Sequence, residues 1–345
     1  MQTLTDIAVT TEAFQRFLFF PEDESALSWR DILPPDLRSS IVSDGNIVGI
    51  CTQFKYVEGK ATDVPTITFI VVKKKSRSQL RRGQHFNIPP ELPAFDPKKG
   101  GFSGKNKIRT DVEESGGISL CARAKRGVYI DRKRPVSGGL SVGNAKEKVT
   151  GTLGFWVELV EKGVIGVSNY HVLANPNARK GERIVQPGRL DHRGSRNTIG
   201  NLLEFFPYEK GGNLVDFACL TPRNPAEADL FNIEAIGKWN GFTKAVEGMR
   251  VAKVGRTTGY TEGEIQSLDA TFQTSYDDEP LLFIKQIKTT CKMEEGDSGA
   301  ALVDLKSKKI CGLCVATDNI ASVSYANNIR YLFGPDSQLK WKLKK

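Results

Sequence analysis

Met293-Glu294-Glu295-Gly296-Asp297-Ser298-Gly299-Ala300-Ala301-Leu302-Val303 is the stretch on which the fold and chemistry of this chain turn. A serine sits between two glycines, an aspartate precedes it, and an apolar strand-like run follows. Gly296 has no Cβ, so a substrate can come close to the backbone there. In a tight turn the amides of Gly296 and Ser298 can point at one spot. That spot would hold the oxyanion formed when Ser298 Oγ attacks a carbonyl carbon. The same residues also read as a polar turn ahead of a core strand. A serine nucleophile therefore has to find its base, and a carboxylate to orient that base, elsewhere in the chain.

The chain has 3 histidines. His171 lies in Val164-Ile165-Gly166-Val167-Ser168-Asn169-Tyr170-His171-Val172-Leu173-Ala174, where an apolar strand runs directly into the histidine and a short turn follows. His192 belongs to a charged loop, Gln186 to Gly194, and His85 follows Arg81-Arg82-Gly83-Gln84 in a basic block. Both read as solvated surface. The orienting acid should be partly buried so that its charge is focused on the histidine. Leu214-Val215-Asp216-Phe217-Ala218-Cys219-Leu220 supplies one, since an aspartate inside an apolar run is costly unless paired.

These three motifs, in the order His171, Asp216, Ser298, resemble those of the trypsin-like (chymotrypsin-family) serine proteases. Gly-Asp-Ser-Gly-Ala resembles the nucleophile loop, Ser168 to Val172 the Ser/Thr-x-x-His-Val loop, and Asp216 to Leu220 the Asp-x-Ala-Leu element. Val251-Ala252-Lys253-Val254-Gly255-Arg256-Thr257-Thr258-Gly259 resembles the second-barrel opening of the bacterial branch. The resemblance covers about residues 130–335. It implies a mainly β fold of two antiparallel six-stranded β-barrels, preceded by a small α+β unit. It also implies a serine endopeptidase with His171, Asp216 and Ser298 as triad and the Gly296 and Ser298 amides as oxyanion hole, with no cofactor and no metal. The specificity-pocket floor then falls on Lys292, which either neutralises an acidic substrate side chain or turns to solvent and leaves an apolar pocket. Val315, Ala316 and Thr317 would pair with substrate backbone as an added β-strand. Asp297 has three readings: an internal Arg or Lys partner, a new amino terminus from cleavage near 112–150, or ordering by a bound partner.

The expected organisation is an amino-terminal α+β unit over 1–112, a linker over 113–129, a protease domain over 130–335 and a basic tail over 336–345. Barrel one would run from about 130 to 230 and barrel two from about 235 to 335. Within the first unit, residues 1–45 read as helical pieces broken by Pro21 and Pro34-Pro35, among them Ser28 to Leu33. Asn46 to Tyr56 and Thr66 to Val72 read as a hairpin turning at Glu58-Gly59-Lys60. Residues 86–110, rich in Pro, Gly and Lys, read as a linker. In the second part, β-rich runs alternate with turns, and a short helix is expected near 225–232.

Charge is unevenly placed. Residues 1–52 carry −5, residues 53–110 carry +9, and the whole chain of 345 residues carries +9. The basic block is a solvated face, or a contact for nucleic acid, an acidic partner or the acidic first segment. The rival functions are accordingly a catalytically silent scaffold and a nucleic-acid-responsive binding protein using 53–110. For the protease, residues 1–112 are the candidate site for an activating protein partner, and a bacterial stress or phage-defence role would suit it. The opening residues lack the basic start and apolar core of a signal peptide, so a cytoplasmic protein is expected. No run approaches the roughly 18 apolar residues of a membrane span. The 6 cysteines read as reduced and buried, and the Cys311-Gly-Leu-Cys314 pair should face opposite sides of a strand. No zinc-ligand spacing is present.

Overall fold

The computed structural model describes residues 3–20, 32–41, 44–81, 84–120, 127–192, 197–318, 320–334, 336–337, 339 and 341–342. The fold is mainly β. The chain divides into two compact units, one of residues 1–118 with 269–274, the other of residues 119–268 with 275–345. Among the described residues no helix is long and apolar enough to cross a membrane.

The first unit opens with the helix Leu4–Phe19. Leu4, Ile7, Thr11, Phe14 and Leu18 recur at spacings of three and four, which puts them on one face. Ile7, Phe14 and Phe17 join Ile50, Ile67 and Phe69 in one core. The second helix, Pro35–Ser40, is a short one, and the helical piece expected from Ser28 falls mostly on residues 28–31, outside those described. The expected hairpin is present as Ile47–Val57 and Lys60–Val71, with Val57 facing Lys60. Glu58 and Gly59 both have positive φ, 49° and 76°, the two-residue turn that matches strand twist.

Residues 86–110 are not a linker. Glu91–Asp96 and Gly101–Glu114 form an antiparallel pair, and the second strand also runs parallel to Lys60–Val71, with Ile67 facing Thr110. The alternation was there beneath the charge: Ile108 is buried between exposed Lys107 and Arg109. Pro93 is tolerated because its strand lies at the end of the sheet order.

In the second unit a seven-stranded antiparallel sheet runs in the order Gly151–Thr152, Ser141–Asn144, Arg183–Val185, Thr198–Phe205, Ala218–Pro222, Gly163–Ser168, Phe155–Leu159. A further antiparallel run is Arg250–Gly255, Ala301–Asp304, Ile310–Asp318, Val323–Asn328, Glu279–Thr289. Strand alternation feeds two cores. Phe155, Val157, Phe217 and Cys219 enter one, while Trp156, Ala218 and Leu220 enter the other. The helix expected near 225–232 is instead a single 3₁₀ turn, Pro225–Glu227, followed by the strand Ala228–Ile233. Ala228 and Ile233 pair with Val136 and Gly138, and tertiary pairing overrides the local helical pattern.

Cys51, Cys219, Cys291, Cys311 and Cys314 are buried thiols. Burial pushes the Cys219 thiol up to about 12. Cys311 and Cys314 do not face opposite sides; both enter the same core. A bulge where Leu302 faces Gly312 but Val303 faces Ile310 makes Cys311 the extra residue and resets the alternation. Phe14→Ala should cost about 3–5 kcal/mol, as large aromatic truncations in a packed core do. Urea unfolding followed by far-UV circular dichroism would measure it, and a cost under about 1 kcal/mol would contradict the packing of this helix.

Candidate active site

His171 is on a one-turn helix, Tyr170–Leu173, directly after the strand Gly163–Ser168. Asp216 lies just before the strand Ala218–Pro222, which pairs with Gly163–Ser168. Adjacent strands therefore bring the two residues together. Nδ1 of His171 is hydrogen-bonded to Oδ2 of Asp216. The other carboxylate oxygen accepts the Tyr170 amide at 2.6 Å and the His171 amide at 3.3 Å. The Tyr208 hydroxyl donates to Oδ2 at 2.7 Å. The Asp216 amide in turn donates to Asn327 Oδ1 at 3.0 Å, and Asn169 Nδ2 donates to the Asp216 carbonyl at 2.8 Å. His171 and Asp216 are both 0% exposed. A buried carboxylate is tolerated only when its lone pairs are filled, and these donors fill them.

With Nδ1 on a carboxylate, the imidazole carries its proton there and presents Nε2 as a lone pair. Nε2 is buried and has no partner among the described residues. Burial and the Asp216 charge push the Tyr208 phenol well above its ordinary value, so it is a fixed donor at any physiological pH. Tyr170 is pushed up to about 12 for the same reasons. Tyr170, Tyr208 and Tyr276 meet edge to face, with centroids 4.9 Å apart for the first pair and 5.2 Å for the second. They line a cleft of about 470 Å³ together with Pro176, Pro207 and Leu281.

The Ser298 turn comes to the same place. A Cβ added to Gly151 would meet Val172 on one side, at 2.5 Å, and the Ser298 carbonyl on the other, at 2.8 Å. Thr152 binds this turn twice: its amide donates to the Ser298 carbonyl at 2.8 Å, and its hydroxyl to the Gly296 carbonyl at 2.8 Å. Gly296 has φ +99°, a conformation costly for any residue with a Cβ. The Gly296 and Ser298 amides donate to no acceptor among the described residues. The Ser298 hydroxyl, 0% exposed, donates to the Val315 carbonyl at 2.9 Å.

Asp297 points away, into a cage. Its Oδ1 accepts the amides of Thr257, at 2.8 Å, and Thr258, at 3.1 Å. Its Oδ2 accepts the Thr258 hydroxyl at 2.7 Å, the Glu294 amide at 3.0 Å and Lys253 Nζ at 3.2 Å. Of the three partners the sequence left open for Asp297, the internal lysine is the one present. Arg256, two residues before Thr258, binds Asp191 instead, with Nε 2.9 Å from Oδ2.

The remaining sequence candidates separate. The Lys292 side chain is 68% exposed and pairs with Glu294 at 2.9 Å, which pushes the lysine up. Val315, Ala316 and Thr317 are buried in the strand Ile310–Asp318. That strand is flanked by Val323–Asn328 on one side and, opposite Ala316 and Thr317, by Leu120 and Ser119 on the other. His85 belongs to the first unit, its Nε2 2.6 Å from Lys75 Nζ, and His192 is exposed on its loop. Sequence reasoning missed Tyr208 and Asn327. The only signal for Tyr208 was the aromatic run Phe205-Phe206-Pro207-Tyr208 ahead of Asp216; Asn327, 111 residues from its partner, gave none.

No family model matches the sequence, and neither does any curated protein. Among solved structures, Protease A of Thermobifida fusca is similar at 19% identity over 60% of this chain and 97% of that one, with a TM-score of 0.43. A chymotrypsin of Cellulomonas bogoriensis is similar at 20% identity over 61% and 98%, with a TM-score of 0.40. A protease of Nocardiopsis is similar at 18% identity over 61% and 99%, with a TM-score of 0.44.

Lys253→Met would leave the Asp297 charge buried without its counter-ion. A loss of about 3–5 kcal/mol in unfolding free energy is expected, as for other broken buried pairs. Urea titration would read it. Lys253→Met combined with Asp297→Asn should recover part of the loss, and additivity of the two changes would contradict the pairing.

Proposed function

We propose that the chain is a serine endopeptidase acting through Ser298, His171 and Asp216. The observation that carries this reading is the buried, unpartnered Nε2 of His171, held in the acceptor tautomer by Asp216 on a helix whose Val172 meets Gly151 opposite the Ser298 carbonyl. A buried imidazole nitrogen without a partner is costly, and a role as proton acceptor gives a reason for it.

In this mechanism the Ser298 hydroxyl leaves the Val315 carbonyl and turns to Nε2. As its oxygen bonds to the peptide carbonyl carbon, its proton passes to His171. The carbonyl oxygen becomes an anion facing the Gly296 and Ser298 amides. His171 then gives the proton to the amine as the C–N bond breaks, and water repeats the cycle on the ester. Asp216 stays ionised and steadies the imidazolium. Lys253 and Asp297 hold the turn in shape without a new amino terminus. The exposure of Lys292, and its pairing with Glu294, support the reading in which it turns to solvent, leaving an apolar pocket for Leu, Phe or Tyr.

A fluorophosphonate probe should label the wild type at Ser298 and leave Ser298→Ala unlabelled, with casein cleavage lost in parallel. A well-folded wild type that resists the probe under all conditions would favour the silent scaffold. Tyr208→Phe removes one donor to a buried charged acceptor and should lower the unfolding free energy by about 1.5–3 kcal/mol, read by urea titration. A cost under about 0.5 kcal/mol would contradict the bond from Tyr208 to Asp216.

A further inference from the structure

Extended peptides bind to sheets by adding a strand to an open edge, where the main-chain N–H and C=O groups are unpaired. Val315–Thr317, next to the nucleophile, is the edge that a substrate of the proposed protease would use. In this structure it is taken. Ser119 faces Thr317 and Leu120 faces Ala316 in antiparallel register, in the two-residue strand Ser119–Leu120. The described strand therefore runs along the edge toward Val315, whose carbonyl holds the Ser298 hydroxyl. Leu120 is only 9% exposed, so its side chain as well as its backbone is accommodated. A second observation points the same way: Ser298 and His171 are each 0% exposed, so in this state a protein substrate cannot reach them.

We propose that Ser119–Leu120 is a built-in occupant of the substrate edge, and that its displacement opens the site. The proposal rests on the protease reading given above. A segment of the same chain competes as an intramolecular ligand, at an effective concentration on the order of millimolar for a short flexible tether. Peptides with weaker claims on the edge are then excluded. The exchange is main chain for main chain, so the edge loses no hydrogen bonds when a substrate strand replaces Ser119–Leu120, and the site can open without unfolding.

The test uses the full chain. Ser119→Pro/Leu120→Pro removes whichever of the two amides donates to the edge. Amide hydrogen exchange over 315–318, cleavage of fluorescein-labelled casein and fluorophosphonate labelling are measured on both forms. The expected result is faster exchange over 315–318 and a casein KM at least tenfold lower, with kcat within about twofold. Unchanged exchange over 315–318 overturns the occupancy, whatever the activity does. Faster exchange with unchanged casein kinetics, in protein that still labels at Ser298, overturns the regulatory role. If neither form labels, the protease reading falls and the regulatory role falls with it, while exchange still reports whether the strand occupies the edge. Should the proline variant not fold, Ser119→Cys/Thr317→Cys provides the converse. Directly opposed strand residues are close enough for a disulfide. Oxidation should then suppress casein cleavage and reduction restore it in the same protein; equal activity in both states overturns the proposal.

Discussion

A carboxylate sealed from water has to be solvated by the protein itself, and Asp297 shows what that requires. Five donors converge on it, from Lys253, Thr257, the amide and hydroxyl of Thr258, and the Glu294 amide. Four of them come from the hairpin Arg250–Gly255 and its turn, so the cage fastens the Ser298 turn to that hairpin. It also explains the composition of the turn. Gly255 is glycine because a Cβ there would lie 2.2 Å from Oδ1 of Asp297. Thr257 serves twice, since its hydroxyl also donates to the Glu295 carbonyl at 2.6 Å. The left-handed backbone at Gly296 is held by these contacts rather than by any preference of its own.

The second buried carboxylate, Asp216, is solved in another way. Among the described residues no lysine or arginine pairs with it; two amides, a phenol and an imidazole fill its lone pairs. A cation at this position would compete with the imidazole for the carboxylate. Neutral donors satisfy the charge and leave its field directed along the His171 ring. Asn327 completes the arrangement from the backbone side, and its own amide is fixed by Gln286 at 2.8 Å. The histidine is thus positioned by a chain of groups, from Asp216 just ahead of the strand Ala218–Pro222 to Asn327 and Gln286 in the strands Val323–Asn328 and Glu279–Thr289.

Local chemistry was legible in the sequence and long-range pairing was not. Gly296, Ser298, His171 and Asp216 each stand in a short run whose residue types carry the meaning, and a reader needs no tertiary information to single them out. Lys253 was quoted in its motif, but only the fold shows it to be the partner of Asp297 rather than Arg256. Both cations lie within five residues of Thr258 and both are buried; Lys253, in the strand Arg250–Gly255, reaches Asp297, while Arg256, in the turn after it, reaches Asp191. Residues 86–110 failed as a linker because Pro, Gly and Lys dominate the composition while Ile108 and Val112 carry the pattern. The Cys311 and Cys314 faces failed because a single bulge, invisible in the sequence, resets a period of two. The strand Val315–Thr317 was read as a substrate edge, while the neighbour that fills it had no signal beyond two residues of ordinary β character.

That last point bears on how such a site can exist at all. A mainly β protein with a nucleophile beside an open edge would present a row of unpaired amides and carbonyls to every extended chain it met, including unfolded ones. Closing the edge permanently would abolish strand addition; leaving it open would invite indiscriminate pairing. A strand of only two residues is a middle solution. It lies opposite Ala316 and Thr317 with Leu120 buried, yet it is short enough to exchange, because so few residues have to be released at once. The resting bond from Ser298 to Val315 follows the same logic at the next residue along. The hydroxyl is occupied, and its acceptor is on the strand that a substrate of the proposed protease would join. On the proposed mechanism, edge and nucleophile are coupled through three consecutive residues, and filling or freeing that edge bears on both.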